Sequence, residues 1–323
     1  MAAEQHDELV SVDEIRAARE AIAAYVHRTP TMSATALGER IGVRLHLKAE
    51  LFQKTGSFKP RGAVHKLLSL SAEERARGVI SISAGNHAQG VAYAAAILGI
   101  PATVVMPEAA VRSKVEATRG YGAEVVLHGA GHDLLPKAQE IQAERGLTFI
   151  HPFDDPYVIA GQGTVGLELI EDVPDADVVV VPIGGGGLMS GVAAAVKGLR
   201  PQARVIGVEP TGAAVMTKSL REGAAAHADT LQTIADGLAA PFVGVRNFAH
   251  VQTLVDDVVL VSDEEIVEAM RLLMERAKLQ VEPSGAAAYA ALLAGRIALP
   301  PHARVVAIVS GGNVDRARLK ELL

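Results

Sequence analysis

Lys59 is the residue whose sequence surroundings best prepare it for covalent chemistry. It follows Thr55-Gly56-Ser57-Phe58 and precedes Pro60, where a turn hands over to a helix, because proline suits the first helical turn and residues 63–68 read helical. An amine held at such a point can project into a cleft and form a Schiff base with a carbonyl group. Most lysines are solvated surface charges, so its companions matter. Gly184, Gly185, Gly186 and Gly187 lie between a valine-rich strand and a helix. Four ordered glycines lose much backbone entropy, and backbone N–H groups closing on a phosphate at a helix start would offset that loss. No Gly-Lys-Ser/Thr follows, so a Walker-type loop is not supported. Ser83-Ala84-Gly85-Asn86-His87 is a second strand-to-helix turn, whose free N–H groups suit a carboxylate and whose Asn86 amide adds a further hydrogen-bonding group. Ser310 ends the last strand, where it either caps a turn or faces a ligand. An amine, a phosphate cradle and a carboxylate turn together suit pyridoxal 5'-phosphate and a small amino-acid substrate.

These groups need strand ends to present them. Helical spacing of apolar residues predicts a helix over 12–27, closed by Arg28-Thr29-Pro30, and alternation predicts a strand over 44–48 that leads into the lysine segment. From Val79 strands and helices alternate: strand 79–82, helix 89–98, strand 102–106, helix 112–121, strand 124–127, helix 134–145, strand 147–150. A second series has helix 163–171, strand 177–181, helix 189–199 and strand 204–208, then helices 263–278 and 285–294 and strand 304–309. Such alternation implies parallel sheets with right-handed crossovers. The expected fold class is α/β, with two open, mostly parallel twisted sheets, flanking helices and a ligand cleft at the strand ends. Gly161 to Gly166 also match G-x-G-x-x-G. Only 158–160 read as strand before them, and the next strand ends without an acidic ribose ligand, so they are expected to open a helix at a point of close packing.

Bulk composition narrows the partners. The chain has 323 residues, 49% hydrophobic and 21% charged, enough for two cores. A net charge of -6 and 3% aromatics without Trp argue against a nucleic-acid surface. The lack of Cys excludes disulfides, thiolate chemistry and Cys-based metal centres. The acidic start MAAEQHDELV has no secretory pattern, so a cytoplasmic location is expected. The uncharged run 178–196 has the length of a membrane span, but Pro182 and four glycines break it into a buried strand, loop and helix, and no membrane partner is expected.

TGSFKPRGA, SAGNHAQG, HPFDDPYVIAGQGTVGLE, GGGGLMSG, TIADGL, EPSGA and SGGN occur in that order. Over nearly its whole length the chain resembles the fold-type II pyridoxal-phosphate enzymes, which are tryptophan synthase β-like, and in particular the serine/threonine dehydratases (threonine ammonia-lyases), related to serine racemase. The resemblance implies that Lys59 is the Schiff-base lysine, with Phe58 beside the cofactor ring and Asn86 bonded to its 3-hydroxyl. It implies that Gly184, Gly185, Gly186, Gly187 and Leu188 bind phosphate through backbone amides, that Ser310 faces the pyridine nitrogen, and that Glu282 and the Gly237 backbone lie near the cofactor. Ser83, Ala84, Gly85, Asn86 and His87 would hold the substrate. The family division puts 1–78 and 151–323 in a large cofactor-binding domain and 79–150 in a small mobile one, in a homodimer or homotetramer.

The implied reaction is elimination: the freed Lys59 amine removes the Cα proton, the β-hydroxyl leaves, and the released enamine hydrolyses to a 2-keto acid and ammonium. A neutral serine opposite the ring nitrogen limits the ring as an electron sink, which suits elimination better than transamination. Racemases of the family have a second serine where this chain has Ala84, which leaves Ser83 as the nearest alternative proton donor and the second candidate catalytic group. The alternatives are a dehydratase of another β-hydroxy amino acid such as hydroxyaspartate, a serine racemase, or a noncatalytic amino-acid-binding protein. Glu209, Ala213 and Val215 fall where relatives bind a divalent cation. With valine at the third place, one carboxylate is too few to hold Mg2+ firmly, and a weak or monovalent ion, or none, is expected. His128 and His132 flank a turn and read as surface histidines. The short remainder after Asn313 leaves no room for a regulatory domain, so feedback inhibition by a branched-chain amino acid is not expected.

Overall fold

In the computed structural model, residues 9–323 are described; the acidic first eight residues, and with them most of the stretch read for a secretory signal, lie outside them. The strands among the described residues are β1 (Thr31–Ser33), β2 (Arg44–Ala49), β3 (Val79–Ile82), β4 (Ala102–Met106), β5 (Glu124–Leu127), β6 (Thr148–Phe149), β7 (Val178–Pro182), β8 (Arg204–Pro210), β9 (Asp257–Val261) and β10 (Arg304–Val309). They form a six-stranded sheet in the order β1-β2-β10-β7-β8-β9 and a four-stranded sheet in the order β5-β4-β3-β6. Every pairing is parallel except β1 with β2, as the alternation of strands and helices predicts.

The large sheet is covered on both faces, which is why its central strands read as unbroken apolar runs. Successive side chains of a strand point to opposite faces: Val178 and Val180 of β7, with Val305 and Ala307 of β10, pack on the helices Asp263–Ala277 and Pro283–Leu293. Val179, Val181, Val306 and Ile308 pack on the helices Pro156–Asp172 and Gly187–Leu199. The helix Lys59–Leu68 lies between the two sheets' helices: its Ala63, Val64 and Leu67 share a core with Val79, Val91, Ala94 and Ile150. A hydrophobic core thus runs directly beneath the lysine.

Several expectations need correction. The first helix ends at Ile22, not at 27. The stretch 158–160 is not a strand, and Gly161, Gly163 and Gly166 do not open a helix; all lie inside the helix Pro156–Asp172. That helix starts early because the Asp155 carboxylate accepts from the N–H groups of Tyr157 and Val158 at 2.8 and 3.2 Å, and proline occupies its first turn. Close packing does require these glycines. A Cβ on Gly161 would lie 2.6 Å from the Arg61 carbonyl, and one on Gly166 would lie 2.7 Å from the Ala195 Cβ. β1, β9 and five short helices, among them Val215–Glu222 and Val245–Leu254, were not anticipated, since short elements carry little periodicity. Among the described residues no helix is long and apolar enough to cross a membrane.

Candidate active site

The sequence around Lys59 folds as its turn chemistry dictates. Gly56 takes a positive φ of 74°, and Asn313 locks that turn by donating from its amide to the Thr55 carbonyl at 2.7 Å. The Phe58 N–H donates to the Ser310 carbonyl at 3.2 Å, and Ser57 bridges to Gly311, so the end of β10 holds the lysine segment. Lys59 is the first residue of its helix, with Pro60 behind it. Its half-buried side chain carries the amine 5.1 Å from the Phe58 ring centroid and donates to the Pro152 carbonyl at 3.0 Å. The surrounding protein disfavours charge there, and desolvation pushes the amine down to a pKa of about 8. A general base or amine nucleophile needs that tuning near neutrality.

Pro152 and Phe153 join the amine to the glycine loop. Cβ atoms on Gly185 would overlap the Phe153 ring, on Gly187 would lie 3.0 Å from Phe153, and on Gly186 would lie 2.7 Å from the Asn247 Cβ. Packing by itself therefore requires glycine at these three positions, and their number is no argument for phosphate. The helix Gly187–Leu199 supplies the better one: its N-cap, Gly186, has a φ of 102° and no side chain caps the first turn, which leaves N–H donors at the positive end of the helix dipole. Gly184 lies beside the Gly237 carbonyl, 3.2 Å from its Cβ position, which brings the TIADGL segment to the same loop.

Asn86 begins the helix Asn86–Leu98 and joins three segments of the cleft. Its amide donates to Glu282 at 2.7 Å and accepts from Asn313 at 2.8 Å. Burial, with Asp236 nearby, raises the Glu282 carboxyl to a pKa of about 8. Lys114 and Asp236 pair across the same side of the cleft. The helix Asn86–Leu98 likewise lacks a side-chain cap. Within the turn, Ser83 accepts from the Gly85 N–H at 3.1 Å, so its hydroxyl oxygen is folded back on its own backbone. Ala84 is half-buried. The His87 ring meets the Ser81 hydroxyl at 2.9 Å and the Ile150 carbonyl at 3.3 Å, and burial, with the Lys59 amine nearby, holds its pKa well below the usual value. Ser310 is buried and donates weakly to the Ser284 carbonyl at 3.3 Å. The Ser284 hydroxyl is itself buried without a partner.

Glu209 and Ala213 stand apart. The Glu209 carboxylate accepts from the N–H groups of Met216 and Thr217 at 2.7 and 2.8 Å and from the Thr217 hydroxyl at 2.7 Å, so it caps the helix Val215–Glu222. Val215 is buried in the core, and among the described residues no three His, Asp or Glu side chains gather into a metal-binding group. Pro152, Phe153 and Asn313 were missed as site residues. Each lies within or beside a quoted motif, but their roles depend on partners far away in the chain.

The residues present fit pyridoxal phosphate: a desolvated amine, a helix start with no side-chain cap, and an unpartnered buried hydroxyl converge on one cleft. The chain is 48% identical over 308 residues to the L-threonine ammonia-lyase of Thermotoga maritima, covering 95% of this chain and 76% of that protein. It is 45% identical over 319 residues to the catabolic L-threonine dehydratase of Escherichia coli K12, covering 98% and 97%. Among solved structures, maize serine racemase superposes with a TM-score of 0.93 at 43% identity, covering 97% of each chain. The processed form of threonine deaminase isoform 2 from Solanum lycopersicum superposes with a TM-score of 0.89 at 39% identity, covering 98% of this chain and 95% of that one. The family described as pyridoxal-phosphate dependent enzyme matches residues 22–311, and with the lysine, glycine loop and cleft in place the chain belongs to that family.

Proposed function

We propose that this enzyme is an ammonia-lyase that dehydrates L-threonine, L-serine or both, giving 2-oxobutanoate or pyruvate and ammonium. The observation that carries it is the Lys59 amine, held by the Pro152 carbonyl beside the Phe58 ring with its pKa lowered to about 8, near enough to the turn Ser83 to His87 to act on the His87 ring. Similarity to the ammonia-lyases above supports the substrate class. When bound, pyridoxal phosphate links to amines through its aldehyde carbon and makes the substrate Cα–H acidic. The residues of the chain then have separate tasks. The uncapped N–H groups from Gly184 to Leu188 hold the phosphate, and those of the Ser83–His87 turn hold the substrate carboxylate. Phe58 would lie beside the cofactor, Asn86 would offer it an amide hydrogen bond, and Ser310 would offer it a neutral hydroxyl. Lys59 would take the Cα proton, and the Ala84 methyl group has none to return, so loss of the β-hydroxyl would dominate over racemisation.

A serine racemase reading has the maize similarity in its favour, and Ala84 weighs against it. We place 79–150 as a small mobile domain on a large one formed by 1–78 and 151–323, in a cytoplasmic homodimer or homotetramer. With the Glu209 carboxylate engaged in helix capping, a cation held there would be weakly bound or monovalent. The test is keto-acid release from a panel of L-threonine, L-serine and hydroxyaspartate. Release from the first two supports the assignment; release from hydroxyaspartate alone moves it to that alternative, and release from none, with no cofactor band bleached by borohydride, leaves an amino-acid-binding protein.

A further inference from the structure

Two residues beyond Lys59, Arg61 is fully buried at the centre of a cluster of ionised side chains to which the chemistry above gives no task. Arg61, Lys48 and Glu50 are each 0% exposed and Glu168 is 4% exposed. The guanidinium donates to Glu50 through Nε and Nη2, both at 2.8 Å, and to Glu168 through Nη1 and Nη2 at 2.7 and 2.9 Å. Nη1 also donates to the Thr164 hydroxyl at 3.0 Å. Lys48 closes the cluster, donating to Glu168 and to the Thr29 carbonyl, each at 2.6 Å. Two cations and two anions make it neutral. It joins β2, the turn after β2, the helix Pro156–Asp172 and the first turn of the lysine helix.

Stability is a poor reason for such a cluster. Desolvating four charges is expensive, and apolar residues of similar volume are often as stable. A planar guanidinium saturated with fixed acceptors gives geometry instead. Here the geometry acts on the turn that carries Lys59. Neighbouring glycines confine that turn from both sides: a Cβ on Gly90 would lie 3.0 Å from the Lys59 Cβ, and one on Gly161 would lie 2.6 Å from the Arg61 carbonyl. The lysine side chain is long and flexible, so the direction of its amine depends on how firmly its backbone is held.

We propose that Arg61 is a positioning residue, which through the buried Lys48–Glu168–Arg61–Glu50 cluster fixes the first turn of the lysine helix and so aims the Lys59 amine. The proposal rests on Lys59 being the cofactor-linked lysine. Its test uses the holoenzyme of three variants: Arg61→Lys, which keeps the charge and loses the fork; the charge-balanced pair Glu50→Gln with Arg61→Met; and Thr164→Val, which keeps every charge and removes one acceptor. Leu272→Ala, in a remote part of the core, serves as a control for general loss of stability.

The expected result is a fall in kcat of roughly tenfold to a hundredfold for the first two, as for a misplacement of about an ångström, with KM changed by less than about threefold. The circular dichroism of the cofactor band and its rate of exchange with added amine should change as well. Leu272→Ala should lower Tm and leave both readouts at the wild-type value. Thr164→Val should show the same changes in smaller measure, and it decides the matter if the other two fail to fold. Wild-type kcat and cofactor dichroism in every folded variant, with only Tm reduced, would overturn the positioning role alone. A wild-type protein without a borohydride-sensitive cofactor band would overturn the assignment of Lys59 and the positioning role together.

Discussion

At the scale of single residues, the proposed chemistry rests on a lysine and an alanine. Lys59 combines a desolvated amine with a fixed backbone, and among the described residues no other lysine in its motif replaces it; Lys54 is exposed. Lys59→Ala should therefore lower keto-acid formation by several orders of magnitude and abolish the borohydride-sensitive band; near-normal turnover would refute the assignment. Ala84 bears on stereochemistry. Its methyl group has no proton to give, and the Ser83 oxygen is engaged with its own turn. L-serine should yield keto acid with only traces of D-serine. Ala84→Ser should raise the D-serine fraction, measured by chiral separation of the products. Abundant D-serine from the unaltered enzyme would mean that another group supplies the second proton.

At the scale of elements, two helices that frame the lysine cross at Gly161, and the same substitution should act in opposite directions there and at Gly120, a helix end with open space around it. Gly161 lies where the helix Pro156–Asp172 crosses the lysine helix, and an added Cβ would lie 2.6 Å from a carbonyl that cannot move aside. Gly161→Ala should cost about 1–3 kcal/mol of stability through overpacking. Gly120 ends the helix Arg112–Gly120 with nothing within 4 Å of its Cβ position and no positive φ. Gly120→Ala should be neutral or stabilise by up to about 1 kcal/mol, because it removes unfolded-state freedom. Urea unfolding of the two variants compares them directly. Equal effects would mean that the close helix crossing does not govern tolerance at Gly161.

At the scale of the whole molecule, two cleft groups tie its stability to pH in opposite senses. Glu282 rises from 4.5 to about 8 through burial, so between those values the folded protein holds a proton that the unfolded chain has released, and stability falls as pH rises. Lys59 falls from 10.5 to about 8 through desolvation, so between about 8 and 10.5 the unfolded chain holds the extra proton, and stability rises with pH. The cofactor-free protein should thus show a dip in its urea midpoint near pH 8 against the trend of its other groups. Glu282→Gln should flatten the acidic limb and Lys59→Met the alkaline one. A profile that neither substitution alters would mean that these groups titrate at their ordinary values.

Turn chemistry and apolar patterning are written in a few neighbouring residues, so the sequence by itself was enough for the two parallel sheets, the Lys59 turn, the glycine loop and the turn beginning at Ser83. Val178 to Val181 and Val305 to Val309 announce buried strands because each residue needs an apolar neighbour whichever face it meets. Choices between distant partners were left to the tertiary structure. Gly161 to Gly166 became the middle of a helix because Asp155 caps it and Arg61 and Ala195 press against it. Glu209 became a helix cap, the His87 ring met Ser81, and Phe153 came to support the glycine loop. Arg61, an ordinary charge in the sequence, became a buried hub only when Glu50, Thr164 and Glu168 closed around it. The physical reason is common to all of these: burial removes water as a competing partner, and which groups then meet depends on contacts between segments that the local sequence does not contain.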